Sequence, residues 1–272
     1  MKRRLRTVLW AGALAVALAY GGAVAFMYAY QGKLMYPGSE PTVPPQAVGL
    51  HDVAEIRVET HDGLSLLAWW QPPQPRRPVI LYFHGNAGPL ASRAIKFTEF
   101  AEAGYGLLMM AYRGYSGNAG TPGESLLIMD AQAAANWLSR EVPDAPVIYF
   151  GESLGSSVAL HLAARLRPAA LVLEGAFDSA ANMAQARYPI LPAALLIRDR
   201  WDSLALAPAV AAPVLMLHGS LDRVVPIAHA QRLFQALPEP KQFVRMDDAG
   251  HVNLFDHDGA AHVLEWLASQ GL

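Results

Sequence analysis

A series of short apolar runs, each separated from the next by a stretch of helical composition, constrains this chain more than any other feature. Val79 to Phe83, Gly106 to Ala111, Val147 to Phe150, Ala170 to Leu173 and Val214 to Leu217 are apolar almost throughout. A strand with one wet face alternates apolar and polar residues, whereas consecutive apolar positions require both faces to be buried, the condition of a strand inside a parallel sheet. Between and after these runs lie Ala91 to Ala103, Gly123 to Arg140, Ser156 to Arg165, Pro226 to Leu237 and Gly259 to Ala268, all of helical composition. Strand and helix in alternation predict an α/β fold with a mostly parallel sheet. Upstream, Glu55 to Thr60 and Leu64 to Gln71 alternate apolar and polar about His61-Asp62-Gly63, which predicts an antiparallel hairpin at the N-terminal edge of that sheet. From Phe177 to Ala207 the rhythm breaks, with Tyr188-Pro189, Leu191-Pro192 and no strand pattern. A connection that long predicts a short helical insertion capping one end of the sheet.

The start of the chain follows different rules. No charged residue occurs between Thr7 and Tyr30, and those residues as a helix measure roughly 36 Å, enough to cross a ~30 Å hydrocarbon core. Lys2, Arg3, Arg4 and Arg6 precede the run and only Lys33 closely follows it, so the positive-inside rule leaves the first residues cytoplasmic and the remainder outside, in the periplasm if the cell is bacterial. Tyr28, Tyr30 and Tyr36 are then expected near the outer interface. A basic start, an apolar core and Ala23-Val24-Ala25 also fit a cleaved secretory signal. Pro37 to Gln46 holds four prolines and reads as an extended linker. The expected organisation is thus an anchor or signal over 1–32, a linker over 33–47, and an α/β domain over 48–272 with its cap insertion at 177–207.

Charge narrows the function. With the four N-terminal cations set aside, 17 Lys and Arg face 23 Asp and Glu, a net −6, which offers no basic field for nucleic acid. The absence of cysteine excludes thiolate nucleophiles and zinc-thiolate sites. His51, His61, His161, His229 and His262 show no metal-ligand spacing, so no metal is expected.

Gly151-Glu152-Ser153-Leu154-Gly155 lies between an apolar run and a helical stretch. A strand-to-helix turn this tight strains the serine backbone and leaves its hydroxyl exposed at the carboxyl edge of the sheet, where it serves as a nucleophile. A serine hydroxyl needs a base, and the chain order for this elbow is Ser, then Asp or Glu, then His. Asp222 follows the run Val214 to Leu217, and His251 follows the β-type run Gln242 to Met246. Glu174 and Asp248 are rival acids, His257 a rival base, and a turn or ion-pair role is the alternative for Asp222. An oxyanion needs two donors: the Leu154 N–H, adjacent to the nucleophile, and one from His84-Gly85-Asn86-Ala87-Gly88, with Asn86 preferred to Ala87.

Taken together with Gln31…Leu34…Tyr36-Pro37, Tyr112-Arg113-Gly114-Tyr115-Ser116-Gly117, Gly120-Thr121-Pro122 with Glu124, Arg198-Asp199-Arg200-Trp201-Asp202-Ser203 and Val225-Pro226, these motifs resemble the α/β-hydrolase superfamily, and within it the membrane-anchored BEM46-like group. Ser116 departs from the family pattern around Arg113. The resemblance implies the α/β-hydrolase fold and cofactor-free hydrolysis of an ester or thioester, with depalmitoylation known among eukaryotic relatives. Shared fold does not set the substrate. Met183, Tyr188, Leu191 and Leu195 of the insertion are candidates for an acyl pocket, with packing onto the body as the other use for them. The expected partners are a small or lipid-like acyl ester or thioester and the membrane. A serine aminopeptidase-like amidase and a catalytically silent binding protein are the alternatives.

Overall fold

A computed structural model describes residues 2–272; Met1, the first residue of the expected anchor, lies outside them. Eight strands form one sheet: β1 (Ala54–Glu59), β2 (Ser65–Gln71), β3 (Val79–Phe83), β4 (Gly106–Met110), β5 (Val147–Glu152), β6 (Ala170–Glu174), β7 (Val214–Gly219) and β8 (Lys241–Met246). Their spatial order is β1-β2-β4-β3-β5-β6-β7-β8. β1 and β2 pair antiparallel, as does β2 with β4, and every pairing from β4 to β8 is parallel. All five residues of β3, β4 and β6 are buried, as their unbroken apolar runs require.

The helices are α1 (Lys2–Met35), α2 (Ala94–Glu102), α3 (Glu124–Glu141), α4 (Leu154–Ala163), α5 (Ala180–Arg187), α6 (Ala193–Leu196), α7 (Ser203–Leu206), α8 (Ile227–Ala236) and α9 (Gly259–Ser269). Alternate strand residues feed two cores, because successive side chains in a strand point to opposite faces. Leu81 and Phe83 pack with Leu127 of α3, Val158 of α4 and Leu233 of α8. Ile80 and Tyr82 pack on the other face with Phe97 of α2 and Trp266 of α9. The α/β-hydrolase fold is therefore present, with its antiparallel N-terminal edge.

The insertion after β6 is helical, and two clusters fasten it. At its start the buried Asp178 carboxylate accepts hydrogen bonds from His229 and Arg232 of α8, at 2.7 and 2.8 Å. At its end Trp201 is fully buried. Its indole N–H donates to Tyr36 Oη at 2.8 Å, and that hydroxyl donates to Asp199 Oδ2 at 2.7 Å. Tyr36 is thus buried inside the domain rather than at a membrane interface, which corrects the expectation for this residue. The proline-rich segment behaves likewise: α1 continues to Met35, and Pro45 is buried against the body at the start of a short 3-10 turn. The Ser39 and Thr42 hydroxyls accept the Ser116 and Ala91 N–H groups at 2.9 and 3.2 Å, so the extended segment is fastened to the body.

The apolar stretch forms one continuous helix, and Leu9, Trp10, Leu14 and Leu18 on it are exposed. From Tyr20 onward it touches the domain. Val24, Met27, Gln31 and Met35 are partly covered while the residues between them are exposed, a spacing that places them on one helical face. Gln31 clamps the cap: its Nε2 donates to the Leu196 carbonyl at 3.2 Å, and its Oε1 accepts from the Arg198 N–H at 2.7 Å.

Candidate active site

β5 delivers Ser153 to the carboxyl edge of the sheet, where the chain reverses into α4. Ser153 has φ 52° and ψ −115°, a sparsely populated conformation that costs ~1–3 kcal/mol and persists only under surrounding restraint. The restraint is close packing. A Cβ at Gly151 would overlap the Gly155 carbonyl, and one at Gly155 would overlap the Phe83 carbonyl of β3. The Ser153 N–H donates to the Glu174 carbonyl of β6 at 2.8 Å, which ties the turn to the neighbouring strand.

The loops after β7 and β8 bring two more residues to Ser153. His251 Nε2 lies 2.9 Å from Ser153 Oγ, and His251 Nδ1 lies 2.7 Å from Asp222 Oδ2. Asp222 Oδ1 accepts the Val224 and Val225 N–H groups, each at 2.8 Å. Burial opposes ionisation of Asp222, but the bonds from His251 and these two amides outweigh it and hold the carboxyl below its usual range. With Nδ1–H given to an ionised Asp222, Nε2 is left as the acceptor of the serine proton. Gly175, at φ 58°, packs against the imidazole, and a Cβ there would come within 3.0 Å of the ring. The rivals stand elsewhere: Glu174 is paired with Lys96, Asp248 is exposed, and His257 faces Asn253.

Ser153, Leu154 and Asn86 line a mainly apolar cleft of about 290 Å³. Leu154 opens α4, whose first amides have no acceptor within the helix. The Asn86 side chain donates to the Met35 carbonyl at 3.1 Å, linking its loop to the end of α1. Met183 and Tyr188 of the insertion line this cleft. Leu191 instead lines a smaller adjoining hollow of about 60 Å³ against α1. Leu195 is 84% exposed and lines neither, which corrects its expected place in the pocket: a four-residue helix covers only one of its sides. Leu196 and Ile197 take that position. The far wall of the cleft is α1 itself, through Met27, Gln31, Leu34 and Met35.

Comparison with known proteins places this architecture. The family described as "Serine aminopeptidase, S33" matches residues 74–200, and that described as "alpha/beta hydrolase fold" matches residues 191–258. The chain is similar to an uncharacterized protein of Mycobacterium tuberculosis, 39% identical over 240 residues covering 87% of this chain and 85% of the relative. It is also similar to the protein bem46 of Schizosaccharomyces pombe, 31% identical over 228 residues covering 78% of this chain and 76% of the relative. The chain belongs to the BEM46-like α/β-hydrolase family. Among solved structures, this BEM46-like protein resembles an esterase of Pyrococcus furiosus with a TM-score of 0.70 at 16% identity, over 86% of this chain and 98% of that one, a likeness of fold.

Behind Ser153 of this BEM46-like hydrolase lies a charged cluster that motif reading missed. Glu152, inside the elbow, accepts from Arg93 Nη2 at 2.8 Å and from Tyr82 Oη at 2.6 Å. Lys96 bridges Glu152 at 3.4 Å and Glu174 at 2.7 Å. Burial is the largest influence on both acids. Lys96 and Arg93 together overcome it at Glu152 and hold that carboxyl well below its usual range. Glu174, with Lys96 alone and Glu152 nearby, is pushed up. The signal available in the sequence was Arg93 and Lys96, one helical turn apart, following the His84 loop. Gly85, Ser92, Arg93, Lys96 and Glu152 line a second recess of about 270 Å³ that meets the first cleft at Asn86 and Ser153.

The remaining BEM46-like motifs build the scaffold. Arg113 pairs with Asp130 of α3 and with Asp62 of the β1-β2 turn, joining edge hairpin to helix. His84 is buried, with Nδ1–H donating to the Gly85 carbonyl at 2.6 Å and Nε2 accepting the Tyr112 N–H at 3.2 Å. Burial, reinforced by Arg93, pushes its imidazole down to about 3, so it orders the loop as a neutral group. Among the described residues, no group of three or more His, Cys, Asp or Glu is placed to hold a metal ion.

Proposed function

We propose that this protein is a membrane-anchored serine hydrolase that cleaves carboxylic esters or thioesters of acyl or lipid-like compounds. The observation that carries the reading is the continuous relay from Asp222 through His251 to Ser153, 2.7 and 2.9 Å per step. In this mechanism Ser153 Oγ forms a bond to the acyl carbon as its proton passes to His251 Nε2. The carbonyl electron pair moves onto oxygen, where the N–H groups of Leu154 and Asn86 receive it. Collapse breaks the bond to the leaving oxygen or sulfur, which takes the proton from His251. Water then adds to the acyl-enzyme with His251 again accepting a proton, and the acid departs as Ser153 is restored. Asp222 holds the imidazole tautomer and stabilises its cation.

The two recesses flanking Ser153 support a division of the substrate. The apolar cleft suits the acyl chain, and the recess by Arg93, Lys96 and Glu152 suits the leaving alcohol or thiol. The helix Arg3–Met35 has the length and hydropathy to cross a membrane. With four cations before it, the proposed orientation keeps the N-terminus cytoplasmic and the catalytic domain outside. Cleavage after Ala25 would leave Phe26 to Met35 and the α1 wall attached.

Fluorophosphonate labelling of membranes containing the intact protein tests the reading, because the probe needs an activated serine and no knowledge of substrate. Labelling of the wild type, lost in Ser153→Ala and His251→Ala, is the expected result; a folded wild type that takes no label would overturn it. The match to the serine aminopeptidase family favours amide cleavage as the second reading. p-Nitrophenyl esters against aminoacyl p-nitroanilides separate the two.

A further inference from the structure

The cap and α1 meet in a register that fixes how deep the cap sits. Tyr20 Oη donates to the Ile190 carbonyl at 3.0 Å, and Arg198 places its guanidinium 4.4 Å from the centre of the Tyr28 ring. Tyr20 and Tyr28 are eight residues apart, ~12 Å along a helix, so the cap segment runs along α1 with Ile190 at its lower end. If Arg6 marks the inner boundary, a ~30 Å hydrocarbon core is used up near Phe26. Tyr20 then lies ~9 Å inside the core, and Ile190 lies beside it. A tilted helix would put both deeper.

The composition of the cap agrees with that depth. Tyr188 to Ile197 carries no charge, and Arg187, Arg198 and Arg200 flank it. Ile190 and Leu195 are 80% and 84% exposed, an outlay of apolar surface that water penalises and lipid does not. Arg198, level with Tyr28, falls in the headgroup region, where long cations and tyrosines collect. The cleft also runs that way. The cavity at Ser153 and the hollow beside it share Met27, Gln31, Tyr188 and Ile197. Together they form an apolar path that descends α1 from Met35 to Val24, ~16 Å by helical rise.

We infer that the Tyr188–Ile197 tip of the cap is embedded in the leaflet facing the catalytic domain, so that the cleft takes the acyl chain of its substrate directly from the bilayer. This rests on the proposed membrane anchoring and serine chemistry. The substrate is accordingly a bilayer-resident acyl ester or thioester, whose chain slides up along α1 while its polar head approaches Arg93 and Lys96.

Because the chain has no cysteine, single labels can be placed at will. Full-length Ile190→Cys, Leu195→Cys and, as a control on the far side, Glu239→Cys carry an environment-sensitive fluorophore in phosphatidylcholine vesicles. Quenching of the first two by brominated lipid, with the third quenched only by aqueous iodide, is expected. Iodide quenching of all three would overturn the inference, as would protection of positions 190 and 195 from both quenchers, which would mean that protein, a second copy included, covers the tip. A kinetic arm compares 4-methylumbelliferyl palmitate held in vesicles with the soluble butyrate ester. Ile190→Asp should slow the palmitate reaction at least tenfold and leave the butyrate rate within twofold; equal rates on both esters would overturn the inference. A wild type that hydrolyses neither ester, yet shows lipid quenching, would sink the serine-hydrolase reading and leave the bilayer contact standing.

Discussion

On the sheet side of Ser153, the elbow is held by strand-to-strand contacts, by glycines with no room for a Cβ, and by an ion cluster of Arg93, Glu152, Lys96 and Glu174. On the opposite side the cleft is closed by one face of α1, by the eight-residue helix α5 and by Tyr188, Ile197 and Trp201 of the cap, joined through isolated hydrogen bonds such as those of Gln31. The first region is restrained from many directions, the second from few. In the proposed mechanism, restraint is concentrated where a displacement of ~1 Å would cost rate. The proposed substrate wall, built from separable pieces, can vary without disturbing the geometry of Ser153, His251 and Asp222.

That contrast can be broken in steps. The largest effect belongs to the relay: Ser153→Ala should lower ester turnover by roughly 10⁴-fold or more, with circular dichroism and melting temperature nearly unchanged. A comparable residual rate in the variant would place the chemistry elsewhere. Next comes the buried cluster. Lys96→Met leaves two carboxylates without their shared cation and should cost about 3–5 kcal/mol of unfolding free energy, read by urea denaturation; a loss under ~1 kcal/mol would show that the cluster does not hold the elbow.

A subtler effect lies in His84. Its imidazole titrates near pH 3 when folded and near 6.5 when unfolded, so below pH 6.5 the unfolded chain binds a proton that the native one does not. Stability is full above that value and declines toward pH 3, by at most ~1.4 kcal/mol per pH unit from this group. His84→Asn should flatten that stretch of the stability curve; an unchanged slope would remove His84 from the account. The smallest effect sharpens the other side of the comparison. Gln31→Ala loses two hydrogen bonds worth about 1 kcal/mol each and should raise KM several-fold, more for the palmitate than for the butyrate ester. An equal change in both would mean that α1 does not discriminate chain length.

What the sequence disclosed was local. The elbow was legible because its glycines and serine are adjacent, and β3 to β7 because burial on both faces leaves an unbroken apolar run. That Asp222 and His251 gather at Ser153 was legible because each follows a recognisable strand. Contacts spanning long stretches of chain were hidden. Tyr36 reaches Trp201 across 165 positions and Asp199 across 163, so a tyrosine that reads as an interfacial anchor is a core residue. Leu195 and Leu196 are indistinguishable by composition, and only the side from which α6 is packed decides which one faces inward. Lys96 reads as a surface cation until Glu152 and Glu174 are seen on either side of it.

One consequence of the α1 wall concerns how this protein can be handled. The residues that an experimentalist would trim to obtain a soluble sample, everything up to about residue 35, include Met27, Gln31, Leu34 and Met35 and the carbonyl that receives the Asn86 side chain. A chain shortened there keeps Ser153, His251 and Asp222 but loses one bank of the channel leading to them. Its measured preferences would describe an open trough rather than the native enclosure, and a screen run on it would rank compounds for the wrong shape.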